Sequence, residues 1–481
     1  MNVGFISLGC SKNLVDTEVA IGVFKDHKFN IVNDPKKADI IIINTCGFIE
    51  SAKEEAINTI LEMAEYKKQN CKYLVVIGCL VQRYYDDLKK ALPEVDLFIK
   101  LDEYKNFWDK INGLLENDKN NNIKNKDNNK NLKNKNEQYY KIDENSKSNI
   151  KTSNKYNLKL PKIEMPTYNE FMERTVTTGK NYAYLKIAEG CSNNCTYCAI
   201  PYIRGPFVSR KMEDILNEAK MLAQNGIKEI VVIAQDTTKY GIDIYGEPKL
   251  AELLQELCKI DGIEWIRFLY SYPEGITDEL IKTVKENDKI ANYFDIPIQH
   301  ISNSILKKMA RHTNKENIIK LITKIRKQIP DVTLRTSLIV GFPGETEQDF
   351  NELLEFVKWA KFDRLGAFMY SKEDGTPAAT MPNQVHGNIK KSRYNKLMKE
   401  QQQISKEILK NKIGKTYKVL VEYISDDGKY FIGRTMQDTP EEDGVVYIKN
   451  TEKFDPNKIL NNFVDCKITD VSDYDLIGKI I

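Results

Sequence analysis

Three cysteines lie within eight residues in the segment EGCSNNCTYCAIP, with the spacing CxxxCxxC. They are Cys191, Cys195 and Cys198, and they follow directly on the predicted strand AYLKIAEG. Structural zinc sites use a complete set of four ligands, usually in CxxC pairs, and no fourth Cys or His lies nearby in the sequence. Three closely spaced thiolates suit an iron–sulfur cluster with one iron free of protein ligands. Incidental clustering of cysteines is the alternative interpretation.

Three further cysteines stand at the carboxyl ends of predicted strands early in the chain. Cys10 follows FISLG, Cys46 follows ADIIIINT and Cys79 follows KYLVVIG. Loops at the carboxyl edge of an open parallel sheet assemble sites, so we expect these thiols to converge. They suit a cluster with one open iron or a zinc ion with an exchangeable fourth position, and the alternative is that they are ordinary buried side chains. The other cysteines lack this placement and are expected to be structural: Cys71, Cys258 and Cys466.

The elements that position the early cysteines are alternating strands and helices. Before residue 117, short apolar runs alternate with helical patterns such as LVDTEVAIGVFKDH, which indicates an open parallel α/β domain. The chain has 481 residues and nine cysteines, an odd number that argues against a disulfide framework. Its apolar runs are too short to span a membrane and its first residues lack a signal-peptide pattern. We therefore expect a soluble, cytoplasmic protein without membrane association.

Six βα units follow, with strands predicted at AYLKIAEG, KEIVVIAQD, WIRFLYSYP, YFDIPIQH, VTLRTSLIVGFPGE and RLGAFMYS. Eight units would close a TIM barrel, so six predict a partial (βα)6 barrel whose strand carboxyl ends form the reaction chamber. Polar residues cluster at these ends, and each is a candidate either for cofactor contact or for an ordinary solvated loop position. They are Gln235, Asp236, Arg267, Tyr270, Gln299, His300, Arg335, Tyr370 and Glu373.

Two features of this predicted chamber have particular interpretations. His300 has the chemistry of a general base, but a lone histidine at a strand end is more typical of a hydrogen-bonded structural group. The segment GFPGET begins at Gly341, where a glycine allows close backbone approach, and it opens the next helix. We therefore expect a polar group to dock at that helix N-terminus.

The remaining regions are a polar linker and a β-rich C-terminus. Sixteen of the twenty residues from 117 to 136 are Asn or Lys, which predicts a disordered linker at 117–156. From residue 413, short strands alternate with turn signals and predict a small antiparallel β-barrel of OB-like type. We thus predict an N-terminal domain at 1–116, the linker, a core at 177–411 and a C-terminal barrel at 413–481.

CxxxCxxC on the first of six βα units, with an aromatic residue before the last cysteine, resembles the radical S-adenosylmethionine superfamily. The three upstream cysteines resemble its methylthiotransferase family, whose TRAM domain the C-terminal barrel resembles. This similarity covers the chain except the linker. It implies that Cys191, Cys195 and Cys198 hold a 4Fe-4S cluster that cleaves S-adenosylmethionine reductively. It also implies that a second 4Fe-4S cluster, on Cys10, Cys46 and Cys79, carries the sulfur. The residues assigned to cofactor binding are Tyr197, Gln235, Asp236, Arg335 and Gly341.

Three segments, SLGCSKNLVDTE, NTCGFIESAKEEA and IGCLVQRY, resemble one branch of that family. Its members methylthiolate the β-carbon of an aspartate in small-subunit ribosomal protein S-twelve. The resemblance implies two S-adenosylmethionine molecules, a reduced sulfur donor and an external reductant such as a flavodoxin-type protein, and it leaves room for a sulfur-delivery partner. Residues 413–481 contain nine Lys or Arg and thirteen Asp or Glu, a net charge of −4, which favours a basic protein partner over nucleic acid. The alternatives are a tRNA adenosine methylthiotransferase and a non-enzymatic iron–sulfur protein.

Overall fold

A computed structural model describes residues 1–116, 174–451 and 454–481, which divide into two compact units. Of these residues, the first unit comprises 1–116, 174–175, 199–206 and 373–375, and the second comprises 176–198, 207–372, 376–451 and 454–481. The linker predicted at 117–156 lies outside the described residues. The predicted core and C-terminal barrel both belong to the second unit, apart from two short segments of the core.

The first unit contains a five-stranded parallel sheet in the order β2-β1-β3-β4-β5. The run of four isoleucines at Ile40–Ile43 is buried along its whole length, as expected for a central strand covered on both faces. The two edge strands are two and three residues long, too short to produce a sequence pattern. The strands are β1 (Asn2–Ser7), β2 (Asn30–Ile31), β3 (Ile40–Thr45), β4 (Tyr73–Gly78) and β5 (Leu97–Ile99).

Helices connect these strands, and a short helix from later in the chain completes the unit. Helix α1 is buried on most of its circumference, and its buried positions include polar residues such as Asp16 and Glu18 as well as Phe24, so it is not an amphipathic surface helix. A further helical segment covers residues 107–116. The labelled helices are α1 (Ser11–Asp26), α2 (Glu50–Ala64), α3 (Cys79–Ala91) and α4 (Ile200–Arg204).

The second unit begins with the six parallel strands that the sequence predicts. They form two three-stranded sheets, β10-β9-β6 and β11-β12-β13, and a parallel bridge between Ile266 and Ile290 links them. This arrangement confirms a partial (βα)6 barrel. A two-residue pairing of β7 with β8 lies beside the cysteine loop. The strands are β6 (Tyr182–Lys186), β7 (Ala188–Glu189), β8 (Val208–Ser209), β9 (Glu229–Ile233), β10 (Trp265–Phe268), β11 (Tyr293–Asp295), β12 (Thr333–Val340) and β13 (Arg364–Met369).

Amphipathic helices cover the outside of this barrel, and their apolar faces join the strands in one continuous core. A 24-residue helix that the sequence did not predict packs against β13, and polar residues dominate its composition. No helix within the described ranges is long and apolar enough to cross a membrane. The helices are α5 (Met212–Gln224), α6 (Ile242–Tyr245), α7 (Leu250–Cys258), α8 (Asp278–Glu286), α9 (Asn303–Lys308), α10 (Lys315–Gln328), α11 (Glu347–Ala360) and α12 (Gly387–Lys410).

The C-terminal strands close into a small barrel in the order β14-β15-β16-β18-β17. Its pairs are antiparallel, as predicted, except that β16 pairs with β18 in parallel. Register shifts in β14 and β17 provide the extra bending that closure of a small barrel requires. The elements are β14 (Thr416–Ile424), β15 (Tyr430–Thr435), β16 (Val446–Lys449), α13 (Pro456–Ile459), β17 (Phe463–Val471) and β18 (Leu476–Ile480).

Candidate functional site

The first unit brings its three candidate cysteines to one edge of the sheet. Cys10 caps the N-terminus of α1 after β1, Cys46 follows β3, and Cys79 begins α3 after β4. Because β1, β3 and β4 are neighbours in the sheet, the three loops leave it side by side. Cys10 is exposed, Cys46 is half-buried and Cys79 is buried. The predicted convergence of these loops is therefore present in the structure.

A glycine adjoins each of these cysteines and lets the loops approach one another. A Cβ atom on Gly9 would lie 2.6 Å from the Cβ atom of Cys46, and one on Gly47 would lie 2.8 Å from the Cα atom of Leu80. Gly78 adopts a φ angle of +101°, which favours glycine. The dipeptides Gly9-Cys10, Cys46-Gly47 and Gly78-Cys79 carry this signal in the sequence.

Asn13 ties these loops together, although the sequence analysis did not single it out. Its side chain is completely buried, and its Nδ2 atom donates to the carbonyl oxygens of Leu8 and Thr45, both at 3.0 Å. Its Oδ1 atom accepts a 2.6 Å hydrogen bond from Arg204 and lies 3.5 Å from the sulfur of Cys79. One amide thus joins all three cysteine loops, because Leu8 precedes Cys10 by two residues and Thr45 immediately precedes Cys46.

Burial controls the protonation of these thiols. It raises the pKa of Cys79 to about 12 and also raises the pKa of Cys46, although the nearby Arg204 guanidinium opposes both shifts. Thiols of this kind lose their protons when a metal binds. Over the described residues, no three His, Cys, Asp or Glu side chains form a ready site for a single metal ion. A four-iron cluster binds each thiolate through a different iron, and a set of three cysteines fits that requirement.

The second unit holds Cys191, Cys195 and Cys198 in a loop after β6 and β7. Cys191 and Cys195 are buried, Cys198 is half-buried, and burial raises the pKa of Cys191 to about 11. Hydrogen bonds from Thr196 anchor the middle of the loop. Its backbone N donates to the Met309 carbonyl at 3.1 Å, and its carbonyl accepts from Ala378 N at 2.9 Å. These two hydrogen bonds attach the middle of the loop to the backbone of Met309 and Ala378.

Asp236, one of the predicted cofactor-binding residues, lies beside this loop. Its buried carboxylate accepts from Asn193 Nδ2 at 2.8 Å and from the hydroxyl of Thr238 at 2.6 Å. Lys239 donates to the other side of the same Asn193 amide. Asp236 thus orients the segment between Cys191 and Cys195, and this is a contact with the protein itself. Gln235 lies next to it in the chain and is half-buried.

Two residues beside Cys195 were missed by the sequence analysis. The hydroxyl of Tyr272 lies 3.2 Å from the Cys195 sulfur, and Nη1 of Arg311 lies 3.8 Å from it. Tyr197 packs against Phe342, edge to face, with 6.5 Å between the ring centroids. Its predicted position near the adenine stays a prediction.

The other predicted chamber residues have mixed positions. Arg335 forms an ion pair with Asp295 at 3.0 Å and a second pair with Glu442, so carboxylates already surround its guanidinium. The backbone N of Tyr270 donates to Asp295 at 2.9 Å. Glu373 belongs to the first unit, where it accepts from Arg83 Nη1 at 3.0 Å. Glu373 therefore contacts residues of the first unit, and its expected role in the chamber stays a prediction.

The GFPGET segment supplies its own polar group. Glu345 Oε2 accepts from the backbone N of Gly341 at 2.8 Å, and Gly341 adopts a φ angle of +73°. Thr346 and Asp349 form a capping box at the start of α11. The polar group expected at this turn is thus an internal carboxylate. His300 is completely buried and its Nδ1 accepts from Ser302 N at 3.0 Å, consistent with a structural histidine.

The barrel architecture and the cysteine loop after its first strand define the class of protein. The model for the "Radical SAM superfamily" matches residues 185–357, that for "Uncharacterized protein family UPF0004" matches 2–100, and that for "TRAM domain" matches 413–481. A solved radical S-adenosylmethionine methyltransferase, TsrM from Kitasatospora setae, shares the fold with a TM-score of 0.53 at 11% identity. That match covers 79% of this chain and 74% of the TsrM chain. The chain is a radical S-adenosylmethionine enzyme.

Full-length relatives identify the family. The "Ribosomal protein uS12 methylthiotransferase RimO" of Alkaliphilus oremlandii (strain OhILAs) is 57% identical, over 100% of this chain and 99% of the relative. The proteins of the same name from Acetivibrio thermocellus and Clostridioides difficile (strain 630) are each 48% identical, over 100% of this chain and at least 98% of their own length. The chain belongs to the RimO family of methylthiotransferases. Its cofactors are S-adenosylmethionine and 4Fe-4S clusters, as the family implies.

Proposed function

We propose that this enzyme transfers a methylthio group to the β-carbon of an aspartate in small-subunit ribosomal protein S-twelve, named uS12 in its relatives. The reaction consumes two S-adenosylmethionine molecules and a reduced sulfur donor and uses two 4Fe-4S clusters. The observation that carries this proposal is the full-length identity to proteins named for that reaction. A ribosomal substrate places the reaction in the cytoplasm. An external reductant, such as a flavodoxin-type protein, supplies the electrons, and the proposal leaves room for a sulfur-delivery partner.

The two groups of three cysteines support two clusters. Cys191, Cys195 and Cys198 hold one, and Cys10, Cys46 and Cys79 hold the other. When bound, these clusters supply the reducing and sulfur chemistry that no side-chain acid or base can provide for an unactivated carbon. The chain's own residues hold the ligands in place: Asn13 joins the loops of the first group, and Asp236 orients the loop of the second through Asn193.

The wall formed by β12 and β13 has space for a bulky substrate. Ser337 and Gly366 are register partners, as are Ile339 and Phe368. Side chains alternate along a strand, so Ser337 and Ile339 share a face of β12 with Arg335. Gly366 and Phe368 share the corresponding face of β13 with Arg364. Small side chains in one layer leave space, and Phe368 in the next layer is 52% exposed. We infer that an extended protein segment lies against this wall, with its apolar part on Phe368.

Some of the carboxylates that give the C-terminal barrel its net negative charge pair with arginines inside the second unit. Asp438 is buried and pairs with Arg364, and the Asp443 side chain is only 2% exposed. Glu442 pairs with Arg335 of the core. These carboxylates neutralise arginines of the same unit and add little to the field outside it. Part of the net charge of −4 is therefore used inside the unit, so the preference for a basic partner stays a prediction and the substrate assignment depends on the relatives.

Mass spectrometry of ribosomal proteins tests this proposal. Deletion of the gene should remove one methylthio group from the target aspartate of uS12, and the wild-type gene should restore it. A Cys195→Ala copy is the matched control, and it should restore nothing. A normal methylthio group in the deletion strain, with methylthiolated adenosine lost from tRNA instead, would transfer the assignment to the tRNA-modifying branch.

The glycine beside Cys10 provides a test of the first cysteine group. In the anaerobically reconstituted Gly9→Ala protein, the iron content should fall by the amount of one cluster. The new Cβ atom would lie 2.6 Å from the Cβ atom of Cys46, and residue 9 has a φ angle of +89°. Gly113→Ala is the control, since nothing lies within 4 Å of its added Cβ. Chemical iron analysis measures the effect. Equal iron in both variants would show that tight packing of this loop does not support the cluster.

A further inference from the structure

Tyr272 and Arg311 form a stacked pair beside one sulfur of the second cysteine group. The guanidinium carbon of Arg311 lies 3.9 Å from the centroid of the Tyr272 ring. Both side chains face Cys195, with the tyrosine hydroxyl 3.2 Å and the arginine Nη1 3.8 Å from its sulfur. A phenol and a guanidinium can both donate a hydrogen bond to a thiolate, so two hydrogen-bond donors lie on one side of this sulfur.

Arg311 is a buried cation without a carboxylate partner in the described part of the chain. It is 6% exposed, and its Nη2 donates to the carbonyl oxygen of Pro297 at 3.0 Å. Its Nε atom is buried and has no hydrogen-bond partner. Arginine stays protonated inside proteins, and an unpaired buried charge is costly. Such a residue is expected where a compensating negative charge is present in the working protein.

We propose that Arg311 and Tyr272 raise the reduction potential of the cluster held by Cys191, Cys195 and Cys198. Reduction adds one negative charge to the cluster. A fixed positive charge and a hydrogen bond to the Cys195 sulfur both stabilise that reduced form, and these are known determinants of cluster potential. Both are positioning residues that act through Cys195. The proposal depends on the assignment of these cysteines as ligands, but it does not depend on the identity of the substrate.

Redox titration of the full-length chain tests this role. A Cys10→Ala, Cys46→Ala, Cys79→Ala background leaves a single cluster to titrate after anaerobic reconstitution. In that background, Arg311→Met should move the midpoint potential, followed by electron paramagnetic resonance, to more negative values. Arg311→Lys keeps the positive charge, so its midpoint potential should stay nearer to that of the parent protein. Tyr272→Phe removes one hydrogen bond and should give a smaller negative shift.

Arg326→Met is the matched control, because that arginine donates to the carbonyl oxygen of Lys361 and not to a sulfur. The midpoint potential of the cluster in the Arg326→Met variant should equal that in the parent protein, which carries only the three cysteine substitutions. An unchanged potential in Arg311→Met, at parental iron content, would overturn the proposal. If the Arg311→Met protein does not bind iron, the Tyr272→Phe protein tests the proposal instead. A midpoint potential more negative than that of the parent supports the proposed role, and an unchanged midpoint potential overturns it. No ribosomal protein is present in the titration, so an error in the substrate assignment would leave these results intact.

Discussion

Replacing Cys10 with alanine is expected to abolish methylthio transfer while the reductive cleavage of S-adenosylmethionine continues. Cys10 belongs to the cysteine group of the first unit, whereas the superfamily's cysteine loop lies in the second unit. Loss of one ligand from the first group should therefore remove sulfur delivery alone. Cys195→Ala should instead reduce both activities to background. Release of 5′-deoxyadenosine measures cleavage, and the mass of a substrate peptide measures transfer.

Cys71→Ala is the matched control for this comparison. Cys71 is buried in the same unit, but its sulfur donates to the carbonyl oxygen of Tyr73 at 3.3 Å and lies away from the three loops. That variant should retain both activities. Methylthio transfer by Cys10→Ala would disprove the assignment of this group. Loss of cleavage in the same variant would show that the two groups do not act separately.

The strands and the cysteine loops could be predicted from the sequence because both depend on local patterns. A buried parallel strand such as β3 is an apolar run, and the residue that follows it lies at the carboxyl edge of the sheet. The position of Cys46 at the carboxyl edge of the sheet could therefore be predicted from the residues that precede it in the sequence. Edge strand β2 could not, because two residues carry no periodicity.

The residues around the cysteines could not be predicted in the same way. Arg311 is 116 residues from Cys195 in the chain, and Tyr272 is 77 residues from it. Only the fold of the partial barrel brings them together, and no local pattern distinguishes them from other Arg and Tyr residues. Asn13 is closer in sequence to Cys10, but its role depends on hydrogen bonds to a loop 32 residues away.

The partners of individual charged residues could not be predicted from the sequence for a related reason. Composition does not distinguish a carboxylate that faces water from one that faces a buried arginine. Arg335 was expected to bind a cofactor, but it pairs with Asp295 and Glu442. The C-terminal barrel therefore contributes carboxylates to the interior of its own unit, and its most buried ion pairs join it to the core barrel.

The most deeply buried of these ion pairs centre on Glu229, the first residue of β9. Its Oε1 accepts from Arg267 of β10 at 2.8 Å, and its Oε2 accepts from Arg434 of β15 at 2.8 Å. The Glu229 and Arg267 side chains are completely buried and that of Arg434 is 2% exposed. Burial alone would raise the pKa of Glu229, but the two guanidinium groups outweigh it and hold this pKa below its usual range.

Glu229→Gln is expected to lower the free energy of unfolding by about 3–5 kcal/mol, because it removes the carboxylate between two buried arginines. The control is Glu264→Gln, which breaks an exposed 3.4 Å pair with Lys418 of the same C-terminal barrel and should cost less than about 1 kcal/mol. Urea denaturation of both variants measures the difference.

Because the pKa of Glu229 in the folded protein is depressed, the contribution of this carboxylate to stability is present above its pKa in the unfolded chain and is lost as the pH falls through its pKa in the folded protein. The wild type should therefore lose stability in acid more steeply than Glu229→Gln, and parallel acid profiles would contradict this account of the pair.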